Sequence, residues 1–303
     1  MKDIRAFCNH PWKRGLLFQD KTKLNKLWAS LDAVENSQLA IDNYIDIQDF
    51  NAFDGGYLHI FGLIQALFLQ QDALSSLSLV LFDGNIVFST EYPKLNNIRT
   101  IRNESIGHPT GRGTPERTFH YISRDSLSKS QFSLVSFFPK DKKDIKIEHV
   151  KTLEIISTQE RLVQNILEKT MANLQLDFEN HKSKFKGQKL HDHIQDGFHY
   201  EFTKLYEHVG KEYPPAKGCF MIIKEAYDKI KIGIIERYFT LEALTGLPDS
   251  VKTLDYIFSR IERDLFIDKI SDELELHIFI DALISNFKEF EITILAIDKE
   301  FEL

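Results

Sequence analysis

The sequence predicts a mainly α-helical fold, an N-terminal helical bundle with a small β insertion followed by a helical C-terminal domain. Three observations carry this expectation. Long stretches poor in proline and glycine place apolar residues three and four apart, the period that gathers side chains on one helix face. Between 119 and 150 the period shortens to two, and aromatic and β-branched residues alternate between polar turns, as in short strands. Beyond Lys186-Gly187-Gln188 the helical period returns.

Taken in order, 22–47 sets Leu24, Leu27, Trp28, Leu31, Val34, Leu39 and Ile41 mostly at those spacings and is expected as an amphipathic helix. After the turn at Asp54-Gly55-Gly56 a second helix is expected over about 57–81, apolar on most faces and so central in the bundle. Its window 57-YLHIFGLIQALFLQQDAL-74 is interrupted by His59, Gln65, Gln70 and Gln71, and on that count falls short of the roughly 20 apolar residues of a membrane span. Pro93 suits a first helical turn and opens a third helix through Leu95, Ile98, Ile101, Arg102 and Ile106 to His108. Pro109 biases His108 away from helical dihedrals, so His108 is expected at a helix terminus. Strands are expected at 119–126, 131–139 and 144–150, an insertion near 117–147. A fourth helix is expected over about 148–185, with the domain boundary between 1–186 and 187–303. Further helices are expected at 190–209, 219–245, 250–266 and 270–297, broken at Tyr213-Pro214-Pro215 and Gly246-Leu247-Pro248.

A chain of 303 residues with 43% hydrophobic content can bury a sizeable core and more readily forms two domains than one. The first residues, MKDIRAFCNHPWKRG, lack an apolar stretch of the signal-peptide type, and the expectation is a soluble cytoplasmic protein without a membrane partner. Cys8 and Cys219 are too few for a disulfide framework and read as free thiols. The net charge of −7 is uneven: 92–146 holds eleven basic and five acidic residues, a net +6, which leaves −13 for the remainder. A basic island in an acidic chain suits a local phosphate site, whereas the last forty residues, with eleven acidic and three basic, should repel phosphates. His191 and His193 are offset by two and share no helix face, so neither a metal nor another cofactor is expected. His120 alternates within a strand, where an exposed histidine with some reach toward the 102–108 region is expected.

The motif 102-RNESIGH-108, at the end of the third helix, resembles the mark of the HEPN domains, helical bundles in which an arginine and a polar residue precede a histidine by a few positions. Arg102 matches the arginine, Asn103 the polar residue and His108 the histidine, and 57–74 is similar to the central helix of such bundles. The resemblance covers roughly 22–185; the β insertion departs from the plainest members, and 187–303 matches no known pattern. It implies a metal-independent endoribonuclease effector of toxin or antiviral-defence type, cutting RNA at a homodimer interface where two motifs face each other, with an inhibitor or regulatory partner as a further expectation. A catalytically silent HEPN-like module that binds partners or nucleotides is the alternative.

The chemistry makes the same demands. Cleaving RNA without metal needs a base for the 2′-hydroxyl, an acid for the departing 5′-oxygen and a fixed cation for the phosphorane. Two histidines related by a twofold axis could share the proton work, because imidazole populates both forms near neutral pH. Arg102 could hold phosphate oxygens with its planar fork, Asn103 could orient the histidine or the phosphate, and Arg99 and Arg112 are auxiliary phosphate contacts. A regular helix would leave Arg102 and His108 about 120° apart, so convergence requires a distortion near Gly107 or a partner's copy of the motif. Otherwise His108 caps its own helix and Arg102 pairs with Glu104 or another carboxylate.

Overall fold

The computed structural model describes residues 1–18, 20–109, 118–138, 145–194, 196–209, 214–267 and 272–302. It is mainly α-helical with one small antiparallel sheet. The chain divides into two compact units, 1–5 with 20–173, and 6–19 with 174–303. The division differs from the expected boundary at 186/187. It falls inside helix α7 (Thr152–Ser183), whose unbroken periodicity offers no signal at that point. The N-terminal stretch, expected within the first domain, forms α1 (Lys2–Cys8) and α2 (Pro11–Phe18), and residues 6–19 belong to the second unit.

In the first unit, the Asp20 carboxylate caps α3 (Lys21–Asp46) by accepting from the N–H groups of Thr22 and Lys23. At the other end of the hairpin, Asn51 accepts from Phe53 N–H and Gly55 takes a φ of 77°, a left-handed turn that glycine adopts without strain. The chain then reverses into α4 (Tyr57–Phe82), which runs antiparallel to α3: Lys23 lies 2.7 Å from Asp83, Ser30 Oγ 2.9 Å from Ser76 Oγ, and Gln70 donates to Gln38 over 2.9 Å. Buried Gln71 donates to Gln159 on α7, and Gln159 donates to Gln70 and to the Leu67 carbonyl. The three helices thus share a core joined by side-chain amides, in which Gln71 Oε1 alone of this network is buried without a hydrogen-bond partner.

Helix α4 departs from the expected fully central position. Its positions 58, 61, 62 and 69 are exposed, among them Leu58, Phe61 and Leu69. By length and composition alone Ala52–Phe82 is apolar enough to cross a membrane, with a mean hydropathy of 1.3 over 18 of its residues. Its polar residues set it apart from an uninterrupted apolar span. Three of these, Gln65, Gln70 and Gln71, hydrogen-bond to side chains of neighbouring elements of this unit.

After the short helix α5 (Phe88–Glu91), α6 (Pro93–Arg102) buries Leu95, Ile98 and Ile101. The sheet follows as an antiparallel meander, β1 (Phe119–Ile122), β2 (Gln131–Phe137) and β3 (Ile145–Lys151), with His120 opposite Ser136 and Ser136 opposite Lys146. The expected strand ends at 123–126 and 138 are not strand, and 139 lies outside the described residues; 124–126 is a short 3-10 turn. Residues 148–150, on which the expected strand 144–150 and the expected helix overlap, belong to β3 together with Lys151; the ladder to β2 holds them and Val150 turns inward. The long helix starts only at Thr152, whose N–H donates to Ser130 O.

The second unit contains the end of α7, α8 (His199–His208), α9 (Pro214–Tyr238), α10 (Leu247–Phe266) and α11 (Glu273–Phe301). Left-handed backbone at Gly197 and Phe198 delays the expected helix at 190 until His199. Another at Phe239 ends α9 before the expected 245. Pro214 and Pro248 sit in first turns, where a missing N–H costs nothing, so helices begin at prolines read as breaks.

Within this unit His181 lies in an aromatic cage, its ring 5.2 Å from those of Phe185 and Phe239 and 5.7 Å from that of Trp12. Its Nε2–H donates to the Arg237 carbonyl over 2.8 Å. Burial pushes its pKa below the ordinary value, more than this hydrogen bond raises it. The unfolded imidazole takes a proton near pH ~6.5 and the folded one at lower pH, so this contribution to stability is complete above about pH 6.5 and is lost as acidity increases. The melting-temperature advantage of wild type over His181→Gln should therefore shrink between pH 7.5 and 5. An advantage constant across that range would contradict the assignment.

Candidate functional site

Along α4, Leu58, Phe61, Gly62, Gln65, Leu69 and Asp72 recur at helical spacing and form an outward stripe, with Gln65 half-buried. A Cβ built at Gly62 would meet no atom within 4 Å, so the middle of the stripe is open. Helix α6 presents two arginines one turn apart to α4. Arg99 Nη1 lies 2.7 Å from the Asp72 carboxylate, and Arg102 Nε–H donates to Gln65 Oε1 over 3.0 Å. Both guanidinium carbons sit 4.3 Å from the centroid of the Phe68 ring, a cation–π arrangement, and Arg99 also lies 5.1 Å from that of Phe88.

At Arg102 the helix widens into a π-helical turn over Asn103–Gly107, closed by a 2.7 Å hydrogen bond from His108 N–H to Asn103 O. The 120° offset of a regular helix therefore no longer applies. Arg102 Nη1–H donates to Asn103 Oδ1 over 3.1 Å. The Gly107 backbone folds over this pair: a Cβ there would lie 2.8 Å from Arg102 Nη1 and 3.4 Å from Asn103 Oδ1. Arg102 and Asn103 thus meet beside Gly107, and His108 follows at the helix end, exposed, with φ −146° and ψ 53°.

The two arginines differ electrically. Arg99, expected to contact phosphate, has its charge balanced in place by Asp72. Arg102 is held by two neutral amides, Gln65 and Asn103, and no carboxylate of the described residues lies in ion-pair range of it, in contrast to the pairing considered from sequence. Among the described residues its positive charge is left without a balancing carboxylate, as a site for an anion requires. Arg112 lies outside the described residues.

Sequence reasoning undervalued His120. Its side chain is only 9% exposed, turned inward rather than outward, because its strand packs against the π-helical turn. Its backbone N–H donates to the Pro109 carbonyl over 2.8 Å, one residue past His108. Its Nδ1 lies 2.8 Å from Ser136 Oγ and 3.8 Å from Glu104 Oε2. Serine and carboxylate meet the same ring nitrogen, so the trio lacks the arrangement of an acylating triad, in which they occupy opposite nitrogens. Strand alternation marks His120 in the sequence but cannot say which face of the sheet is covered.

Elsewhere in this unit a cleft of about 830 Å³ is lined by Val34, Gln38, Leu39, Gln70, Glu160 and Leu167 among others, and no motif residue borders it. Among the described residues no group of three or more His, Cys, Asp or Glu side chains is placed to hold a metal ion. Comparison with known proteins gives no match, whether to family models, to curated proteins or to solved structures.

Proposed function

We propose that this chain is a metal-independent endoribonuclease of the HEPN kind, a cytoplasmic effector of toxin or antiviral-defence type that cuts RNA at a composite site in a homodimer. The observation that carries the reading is Arg102, a guanidinium fixed by neutral amides and an aromatic face, with no balancing carboxylate among the described residues, six positions before the exposed His108 at the end of the same helix. Arg102 holds the non-bridging oxygens and the charge of the phosphorane. Asn103 locks the guanidinium, His108 removes the 2′-hydroxyl proton, and the second copy's imidazole protonates the 5′-oxygen. The α4 stripe of Leu58, Phe61 and Leu69 beside Arg102 supplies an apolar face for a second copy.

The same stripe favours the second reading, a silent module that docks a partner protein without cutting. Cleavage separates the two. Wild type should cut single-stranded RNA in EDTA and leave 2′,3′-cyclic phosphate or 3′-phosphate ends. Phe61→Asp should yield a monomer with little activity. A fully active monomer would overturn the composite site, and cleavage that requires added Mg²⁺ or Mn²⁺ would overturn metal independence.

A further inference from the structure

The sheet has two unlike faces. One carries His120, Ile122, Leu134 and Val150 and packs toward the helices, with Tyr57 Oη donating to the Ile122 carbonyl. The other carries Phe119 and Tyr121 on β1, Val135 and Phe137 on β2, and Ile145 and Ile147 on β3. Tyr121 is 47% exposed, Ile145 56% and Ile147 58%, while Val135 is buried beneath them. The Tyr121 and Phe137 rings lie 5.8 Å apart and 20° from parallel. This outward surface is aromatic and aliphatic in a chain whose long helices already bury a full core.

We infer that this sheet face is a stacking platform for single-stranded RNA, feeding the strand to the Arg102/His108 site; the inference rests on the nuclease reading. Three observations select RNA over another occupant. No Asp or Glu of the described strands stands on the outward face, Glu148 being on the inner one with Lys146, and the sequence 92–146 is net +6 in a chain of −7. Flat aromatic rings in near-parallel register offer π faces on which any base can stack, which gives affinity without demanding a sequence. Strand β1 is also tied to the site, because His120 N–H holds the Pro109 carbonyl next to His108. Nucleotides lying across Phe119 and Tyr121 are thereby led toward the exposed imidazole.

The test is fluorescence anisotropy with a labelled, uncleavable single-stranded 2′-O-methyl RNA, beside sedimentation of the same samples. Tyr121→Phe should bind as wild type, and Tyr121→Leu, which keeps apolar area but removes the ring, should weaken binding about 10-fold. Unchanged binding by Tyr121→Leu would overturn the platform, as would a dimer that dissociates in Tyr121→Leu with RNA affinity intact, since the face would then join two copies. Full cleavage by His108→Ala alongside weakened binding by Tyr121→Leu would instead remove the catalytic reading and leave the platform standing.

Discussion

His108→Ala should lower RNA cleavage by about 10²-fold or more and cost about 1 kcal/mol or less of stability. The side chain is exposed, so its removal leaves no cavity, while the backbone bond from residue 108 to Asn103 O that closes the π-helical turn is independent of the imidazole. Activity and stability should therefore separate. Arg102→Lys keeps the charge but loses the fork that meets Gln65 and Asn103 together, and it should also impair cleavage. Gly107→Ala offers a finer probe: its methyl group would displace the Arg102 guanidinium, the mobile end of a side chain, and should reduce turnover with little change in melting. Thermal melts beside cleavage assays at one salt concentration decide. Wild-type cleavage by His108→Ala, or loss of activity only in step with lost folding, would leave the motif as a structural helix end.

The largest stability effect is expected within the second unit. Asp298 on α11 is 6% exposed, and its carboxylate accepts from the N–H groups of Leu190 over 2.8 Å and His191 over 2.9 Å. Asp298→Ala strands both donors, and hydrogen bonds to a charged acceptor are worth about 1.5–3 kcal/mol each, so a loss of about 3 kcal/mol is expected. Asp298→Asn keeps one good acceptor and should lose about half as much. Urea unfolding reads this as a lower midpoint for the transition of the second unit. A loss under about 1 kcal/mol for the alanine variant would show that water or a turn rearrangement replaces the carboxylate.

What the sequence by itself determined is whatever short-range chemistry controls. The helical period placed α3, α4, α6, α10 and α11 closely, because an apolar face recurring every three to four residues has few other ways to be buried. Alternation found the three strands, and Pro109 put His108 at a helix end. Strong local signals misled where two of them met. At 148–151 helix-forming residues stay in β3 because ladder bonds to β2 outweigh propensity, and Pro214 and Pro248, read as breaks, open helices.

Only the tertiary structure decided the rest. The division inside α7 depends on which core each half of one helix enters, a choice with no local mark. The open face of α4 depends on how many neighbours surround it; composition showed only that it is apolar. Arg99 and Arg102 look alike in sequence, and they part because Asp72 stands opposite one and Gln65 opposite the other, 27 and 37 positions away. The inward turn of His120 and the outward turn of Tyr121 follow from which sheet face the helices cover, since alternation assigns neighbours to opposite sides without saying which side is wet.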